Sequence, residues 1–304
     1  MTVVRFVLVL AIAAAGCAGP SPSPTTGLEG RIWDVREQRF VGEEELAAQL
    51  RKARFRLLGE VHDHPSHHTH RAALIRALGA PGEVYFEQFD RKHDADLREA
   101  QRAGANADAL AKAGQLDAGW KWPLHRPLLE AALDAPVQVR AANLSPADTR
   151  RIARAGKLGP QDVALDAALS RADWTAQREA ALRAVIIDGH CGALPEKIAP
   201  AMALAQRARD ATLALALAEA PGSAVLIAGN GHIRRDLGVP LYLARGATFL
   251  SVGFLETQPG ETDPRAYVAG ANGESMYDFV WFTAPQPRPD PCEAFRKRPP
   301  APPG

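Results

Sequence analysis

FRLLGEVHDHPSHHTH, residues 55–70, changes character within a few positions: a short apolar run stops at Gly59 and Glu60, and five of the chain's nine histidines follow between 62 and 70. A short apolar run closed by glycine is the pattern of a strand buried on both faces, and Pro65 suits the first turn of a helix starting just beyond it. Strand, polar turn and helix together open a parallel sheet with crossover helices. In that unit His62 sits at the strand terminus. With a helix starting at Pro65, His64 lies near its cap, His67 and His70 share a face, and His68 points about 100° away from His67. The five cannot all reach one ion. His62 is therefore expected to be the site residue and the others mainly a polar helix face, with His64 or His67 as further candidates for a rim ligand and scavenging of loose metal as another use of the tract.

The same alternation extends outward. Strands are expected at 55–59, 83–89, 137–142, 224–228 and 248–255, with an alternating segment at 277–283 as an edge, and 32–41 (IWDVREQRFV) as a small hairpin ahead of a helix at 43–53. Helices are expected at 65–78, 91–104, 124–133, 146–155, 174–187 and 196–220. The fold class is α/β: a mainly parallel sheet flanked by helices in a domain spanning 30–284, with 91–220 as a largely helical inserted lid over the carboxyl ends of the strands. There is no internal repeat, and GNGH at 229–232 lacks the spacing of a dinucleotide fingerprint.

The two ends carry other signals. Residues 1–16 have one charge, Arg5, then an apolar stretch too short to span a bilayer, which is the layout of an export signal. Ala14-Ala15-Gly16-Cys17 resembles the lipobox of bacterial lipoproteins, making Cys17 the lipidation site; the alternative is an ordinary secretory peptide cut nearby. Ala18 in place of aspartate matches the sorting pattern for the outer membrane, so the chain is expected to face the periplasm, held to the membrane by its lipid. The Pro/Ser segment to residue 29 is a tether, and 285–304 is a Pro-rich tail. In an oxidising compartment the remaining Cys191 and Cys292 can form one disulfide; two free buried thiols are the alternative. With 36 basic and 35 acidic residues, nothing suggests a nucleic-acid surface.

Polar residues unfit for a core recur where apolar strands stop. The first strand ends in Glu60 and His62, the second carries Glu87, and the fourth ends in Gly229-Asn230-Gly231-His232. In a parallel sheet these termini share one rim, where open α/β folds bind ligands. Glu60, His62, Glu87 and His232 in one cleft would suit a divalent metal such as zinc, manganese or cobalt, or a histidine base fixed by a carboxylate, with Glu60 and His62 as the catalytic pair. The plain alternative is a turn histidine that caps a helix.

Other residues point the same way with open alternatives. His190, between two helices, is either a site residue or a satisfied helix-end histidine. Gln206, Arg209 and Asp210 share one face of an alanine-rich helix; Arg209 is suited to an oxyanion, or to an internal pair with Glu60 or Glu87. Trp120 and Trp122 either stack on a flat ligand or pack in the core.

LLGEVHDHPSHH (57–68), HCGALPEKIAPAMALAQRARDATLALAL (190–217) and VLIAGNGHIRRDLGVPLYL (225–243) together resemble the ChaN family of haem-binding uptake lipoproteins, over roughly 30–284. The wider group includes Tiki, TraB and, more distantly, erythromycin esterases, and shares paired G-x-x-H motifs, here Gly59 with His62 and Gly229 with His232. The resemblance implies a parallel sheet with a helical lid, haem as cofactor and small-molecule partner, and a homodimer around a face-to-face haem pair. It implies iron ligation by tyrosine and histidine, yet Tyr85, Tyr242, Tyr267 and Tyr277 match no ligand position, and Tyr242 reads as a core aromatic. In WKWPLHRPLLEAAL (120–133) His125 stands where family members carry tyrosine, so imidazole ligation from there is an option. The haem-contacting set is therefore His62, His125, His190, Arg209 and His232. Two functions follow: haem binding at the outer membrane for haem and iron uptake, or, from the Tiki side, a metal-dependent hydrolase; an esterase with His62 as its base is a third.

Overall fold

The computed structural model describes residues 26–79, 82–116, 118–135, 137–290 and 292–293. The expected signal peptide, Cys17, most of the tether and the end of the tail lie outside the described residues.

The strands are β1 (Ile32–Asp34), β2 (Arg39–Val41), β3 (Phe55–Leu58), β4 (Glu83–Asp90), β5 (Gln138–Asn143), β6 (Ala224–Ile227), β7 (Phe249–Glu256) and β8 (Phe279–Thr283). They form one sheet in the order β2-β1-β8-β7-β3-β6-β4-β5. From β8 to β5 every pairing is parallel, while the hairpin β1-β2 is antiparallel within itself and docks antiparallel on β8 through β1. The expected edge at 277–283 is corrected: β8 lies between β7 and β1, because the hairpin pairs Ile32 with Trp281. Its alternation reflects two unlike buried faces. Trp281 and Phe279 pack with one core cluster, Phe282 and Val280 with the other.

Helices α1 (Glu43–Leu50), α2 (Pro65–Ala77), α3 (Asp94–Arg102), α4 (Ala107–Ala113), α5 (Arg126–Asp134), α6 (Pro146–Ala155), α7 (Val163–Arg171), α8 (Ala176–Gly189) and α9 (Ala199–Ala218) complete the described fold. Their starts are written locally: Pro65, Pro127, Pro146 and Pro200 sit in first turns, and Asn106, Ser145 and Thr175 accept hydrogen bonds from the backbone N–H three residues on. Sequence reading missed α4 and α7, both short.

The expected lid at 91–220 does not form one cap. Leu97 of α3, Leu110 of α4 and Leu128 of α5 pack with α1 and α2 on one sheet face, against Val84, Phe86 and Val139. Leu213 and Leu217 of α9 cover the other face, against Leu57, Tyr85 and Leu226. Only α6, α7 and α8 form an outer layer, and they rest on α9. The cause is α9 itself: its alanines allow helices to approach from outside while its leucines meet the sheet. Each of those buried leucines contributes about 1.5–3 kcal/mol.

Candidate functional site

Sheet register builds the site. Leu58 of β3 and Phe86 of β4 both pair with Ile227 of β6, so one step further Gly59, Glu87 and Ala228 emerge in one row at the carboxyl rim. The two G-x-x-H turns therefore leave the sheet side by side. Both glycines are required for space. A Cβ on Gly59 would lie 2.1 Å from Asn230 Oδ1, and one on Gly229 would lie 2.8 Å from His62 Cε1. Each turn is thus threaded through the other's missing side chain.

Glu60 is fully buried and takes up both of its oxygens internally. Oε1 accepts from His62 Nδ1–H at 2.6 Å and from Gln88 Nε2–H at 2.9 Å. Oε2 meets the guanidinium of Arg71, itself wholly buried on α2, and lies 3.2 Å from His68 Nδ1. With Nδ1 as the donor, His62 presents its lone pair on Nε2, for which no hydrogen-bond partner stands among the described residues. The His62 side chain is 48% exposed, and its ring meets the edge of Trp120 at 4.8 Å. Desolvation lowers its pKa, with Glu87 opposing, which favours the neutral form of the imidazole.

Beside it runs a second polar chain. His232 Nδ1–H donates to Asp210 of α9 at 2.5 Å, and Nε2 lies 3.2 Å from Glu87 Oε1. Glu87 also pairs with Arg209 and accepts from Gly229 N–H at 2.7 Å. Burial pulls His232 down, but Glu87 and Asp210 outweigh it and raise its pKa to about 9. Burial likewise opposes ionisation of Glu87, yet His232, Arg209 and His62 hold it well below the usual carboxylate range. Burial pushes Asp210 up, against the pull of His232.

The expected metal quartet is therefore not assembled as such. Glu60, His62, Glu87 and His232 do converge, but both nitrogens of His232 face carboxylates, Asp210 and Glu87, and Glu87 is also paired with Arg209. Among the described residues the ligand-type group within metal-binding reach is Glu60, His68 and His125, all buried. Arg71 occupies it: its NH2 sits on Glu60 and lies 2.9 Å from His68 Nδ1, placing a cation where an ion would have to bind. His125 is 2% exposed, packs edge-on to His68 at 4.4 Å, and neither ring nitrogen has a hydrogen-bond partner among the described residues; burial lowers its pKa to about 2. It stands behind Trp120 instead of at the surface.

The polar helix face expected at 64–70 is also corrected. His64, His67 and His68 are buried, turned toward the sheet end. His67 Nδ1 accepts from Val61 N–H at 2.9 Å, its Nε2 meets Thr283 Oγ1 at 2.8 Å, and it stacks on His64 at 3.9 Å. His68 Nε2–H donates to the carbonyl of His62. These rings hold the β3–α2 turn in place.

His190 lies apart from His62. Its Nδ1–H donates to Ile186 O at 2.7 Å, and it borders a cavity of about 240 Å³ shared with Gln206 and Asp210. Cys191, next to it, is bonded to Cys292 with Cα atoms 5.6 Å apart. A larger crevice, about 520 Å³, opens at the ends of β4 and β5, lined by Gln88, Lys92, Trp120, Asn143, Arg150 and Arg209. Trp120 is thus both its wall and the neighbour of His62. Trp122 instead packs against the core, its indole N–H donating to Asp108. The phenols of Tyr85, Tyr242, Tyr267 and Tyr277 are all engaged internally. Sequence reading missed Arg71 and Gln88, and gave Asp210 no role of its own although its spacing from Arg209 was the available signal.

A six-stranded parallel sheet carrying histidine and carboxylate at its carboxyl rim defines an α/β ligand-site protein. The chain belongs to the family described as haem-binding uptake, Tiki superfamily, ChaN, whose model matches residues 46–243. It is similar to a ChaN of Campylobacter jejuni, whose structure is described as cofacial heme binding: 21% identity, TM-score 0.67, covering 82% of this chain and 95% of that one. An erythromycin esterase mutant in its open conformation is 14% identical, with TM-score 0.37 over 77% of this chain and 78% of the other. A type III effector, HopBA1, is 14% identical, with TM-score 0.41 over 88% and 100%. No curated protein matches the chain.

Proposed function

We propose that this protein binds haem at the crevice beside His62, as a lipoprotein of the outer membrane engaged in haem and iron uptake. The observation that carries it is the placement of His62: its Nδ1–H is anchored on Glu60, its Nε2 has no hydrogen-bond partner among the described residues, and its half-exposed ring stands against Trp120. The donor set fits an iron porphyrin. Imidazole nitrogen is a ligand that haem iron takes, Trp120 offers a flat apolar surface, and Arg150 and Lys92 would supply cations for carboxylate side groups. The crevice volume of about 520 Å³ lies in the range of cofactor clefts. When bound, haem supplies the iron that accepts the His62 lone pair; the protein orients that imidazole and neutralises the porphyrin's carboxylates. His125 and His232 are then supporting residues, since burial and hydrogen bonds occupy them, and His190 borders the other, smaller cavity.

Family membership, and the likeness to a protein described as binding heme cofacially, support this reading and suggest a homodimer on haem binding. The anchor at Cys17 rests on sequence. Haemin titrated into the purified domain is expected to give a saturable Soret shift at micromolar concentration; no shift would remove the proposal. Sedimentation with and without haemin reports the dimer.

A hydrolase remains the second reading, favoured by one observation: the Glu60–His62 pair is also the arrangement of a general base fixed by a carboxylate. Hydrolysis of ester or peptide substrates that is lost in His62→Ala would support it.

A further inference from the structure

We propose that Glu60 is a positioning residue that makes His62 an electron-rich iron ligand, and that Gln88 and Arg71 limit how far it does so. This rests on the proposal that His62 binds haem iron. A carboxylate accepting the distal N–H of a ligating histidine fixes its tautomer and raises its basicity, and such outer partners change metal affinity about 10–100-fold.

Here the carboxylate is shared. Glu60 Oε1 accepts from both His62 Nδ1–H at 2.6 Å and Gln88 Nε2–H at 2.9 Å, while Oε2 faces the buried Arg71 guanidinium. Each competitor withdraws negative charge from the bond to His62. Arg71 itself is aimed by His68, whose Nδ1 accepts from it at 2.9 Å and whose Nε2–H donates to the His62 carbonyl. Ligand, carboxylate and counter-ion thus form one closed circuit across the turn between β3 and α2, with Glu60 and Arg71 buried and His62 at its half-exposed end. Hydrogen bonding to the axial ligand is one of the levers a protein has over haem potential. More negative charge on His62 stabilises ferric over ferrous iron and lowers the midpoint potential.

The test is the reduction midpoint of haem bound to the mature chain, with ferric-haem affinity from Soret titration, in wild type, Glu60→Gln and Gln88→Leu. Glu60→Gln is expected to raise the midpoint and weaken ferric-haem binding about 10–100-fold. Gln88→Leu removes a competing donor without changing charge and is expected to lower the midpoint. Since Glu60→Gln leaves Arg71 without its counter-ion, Gln88→Leu decides the matter if that variant does not fold. Midpoints unchanged from wild type, in a protein whose spectrum depends on His62, would overturn the role of Glu60 while leaving haem binding intact. A wild-type protein that takes up no haemin, or a spectrum indifferent to His62→Ala, would instead overturn the underlying proposal.

Discussion

Asp210 Oδ1 lies 2.5 Å from His232 Nδ1, joining a carboxylate on the long helix α9 to the histidine of the second G-x-x-H turn. The other nitrogen of the same ring faces Glu87 at 3.2 Å. An imidazolium between two buried carboxylates is a structural cation: it allows Glu87 and Asp210 to be desolvated at the rim and ties α9 to the sheet.

The pH dependence of stability follows from His232. Its folded pKa, about 9, lies above the ordinary value of 6.5. Its contribution is therefore fully present below pH 6.5 and lost as pH rises through about 9. Urea denaturation at pH 6.5 and pH 9.5 should show wild type losing more stability on alkalinisation than His232→Gln. Equal losses in the two proteins would contradict the imidazolium.

Arg71 and Glu60 form a wholly buried ion pair. Breaking it on one side leaves an uncompensated charge in the core. Arg71→Met is expected to cost about 3–5 kcal/mol, and the double variant Glu60→Gln with Arg71→Met to recover much of that, since it removes both charges. Equilibrium unfolding of wild type, Arg71→Met, Glu60→Gln and the double variant checks the non-additivity.

Gly229 makes room for the His62 ring. In Gly229→Ala the new Cβ would fall 2.8 Å from His62 Cε1. Because the ring is half exposed it can yield, so the fold should survive with little change in Tm. Haemin affinity should fall roughly tenfold or more as Nε2 is displaced. Unchanged affinity would separate His62 from the ligand.

The Cys191–Cys292 bond closes a loop across a sequence separation of 101 residues. It fixes the segment after β8, where Arg288 also pairs with Glu256 and Asp63. Cys292→Ser should lower stability by about 2–5 kcal/mol. Thermal unfolding with and without reductant provides the comparison, and reductant should have no effect on the variant.

Strand positions were legible because fully buried parallel strands are short apolar runs bounded by glycine. β3 and β6 follow that rule even with Arg56 in the run, its guanidinium buried on the carbonyls of Leu50 and Arg51. The convergence of Glu60, His62, Glu87 and His232 was legible for the same reason: parallel strands end together. What the spacing withheld was pairing. Periodicity treats a histidine-rich helix turn as polar and hence solvated, but His67 and His68 are buried because backbone groups and Arg71 satisfy them. Nor does sequence distinguish His232 as a metal ligand from His232 as a cation, which depends on Asp210 arriving from α9. How the helices at 91–220 divide between the two sheet faces was not legible, because helices covering a sheet face and helices stacked on those helices share one pattern.

The central claim is that the His62 imidazole holds the haem iron. Near-infrared magnetic circular dichroism of the ferric-haem complex tests it in wild type and in His62→Ala with and without added imidazole. Ligation by His62 should give an imidazole-ligated spectrum in wild type, its loss in His62→Ala, and its return when free imidazole fills the vacated position. An unaltered spectrum in His62→Ala, or a wild-type spectrum without nitrogen ligation, would contradict it.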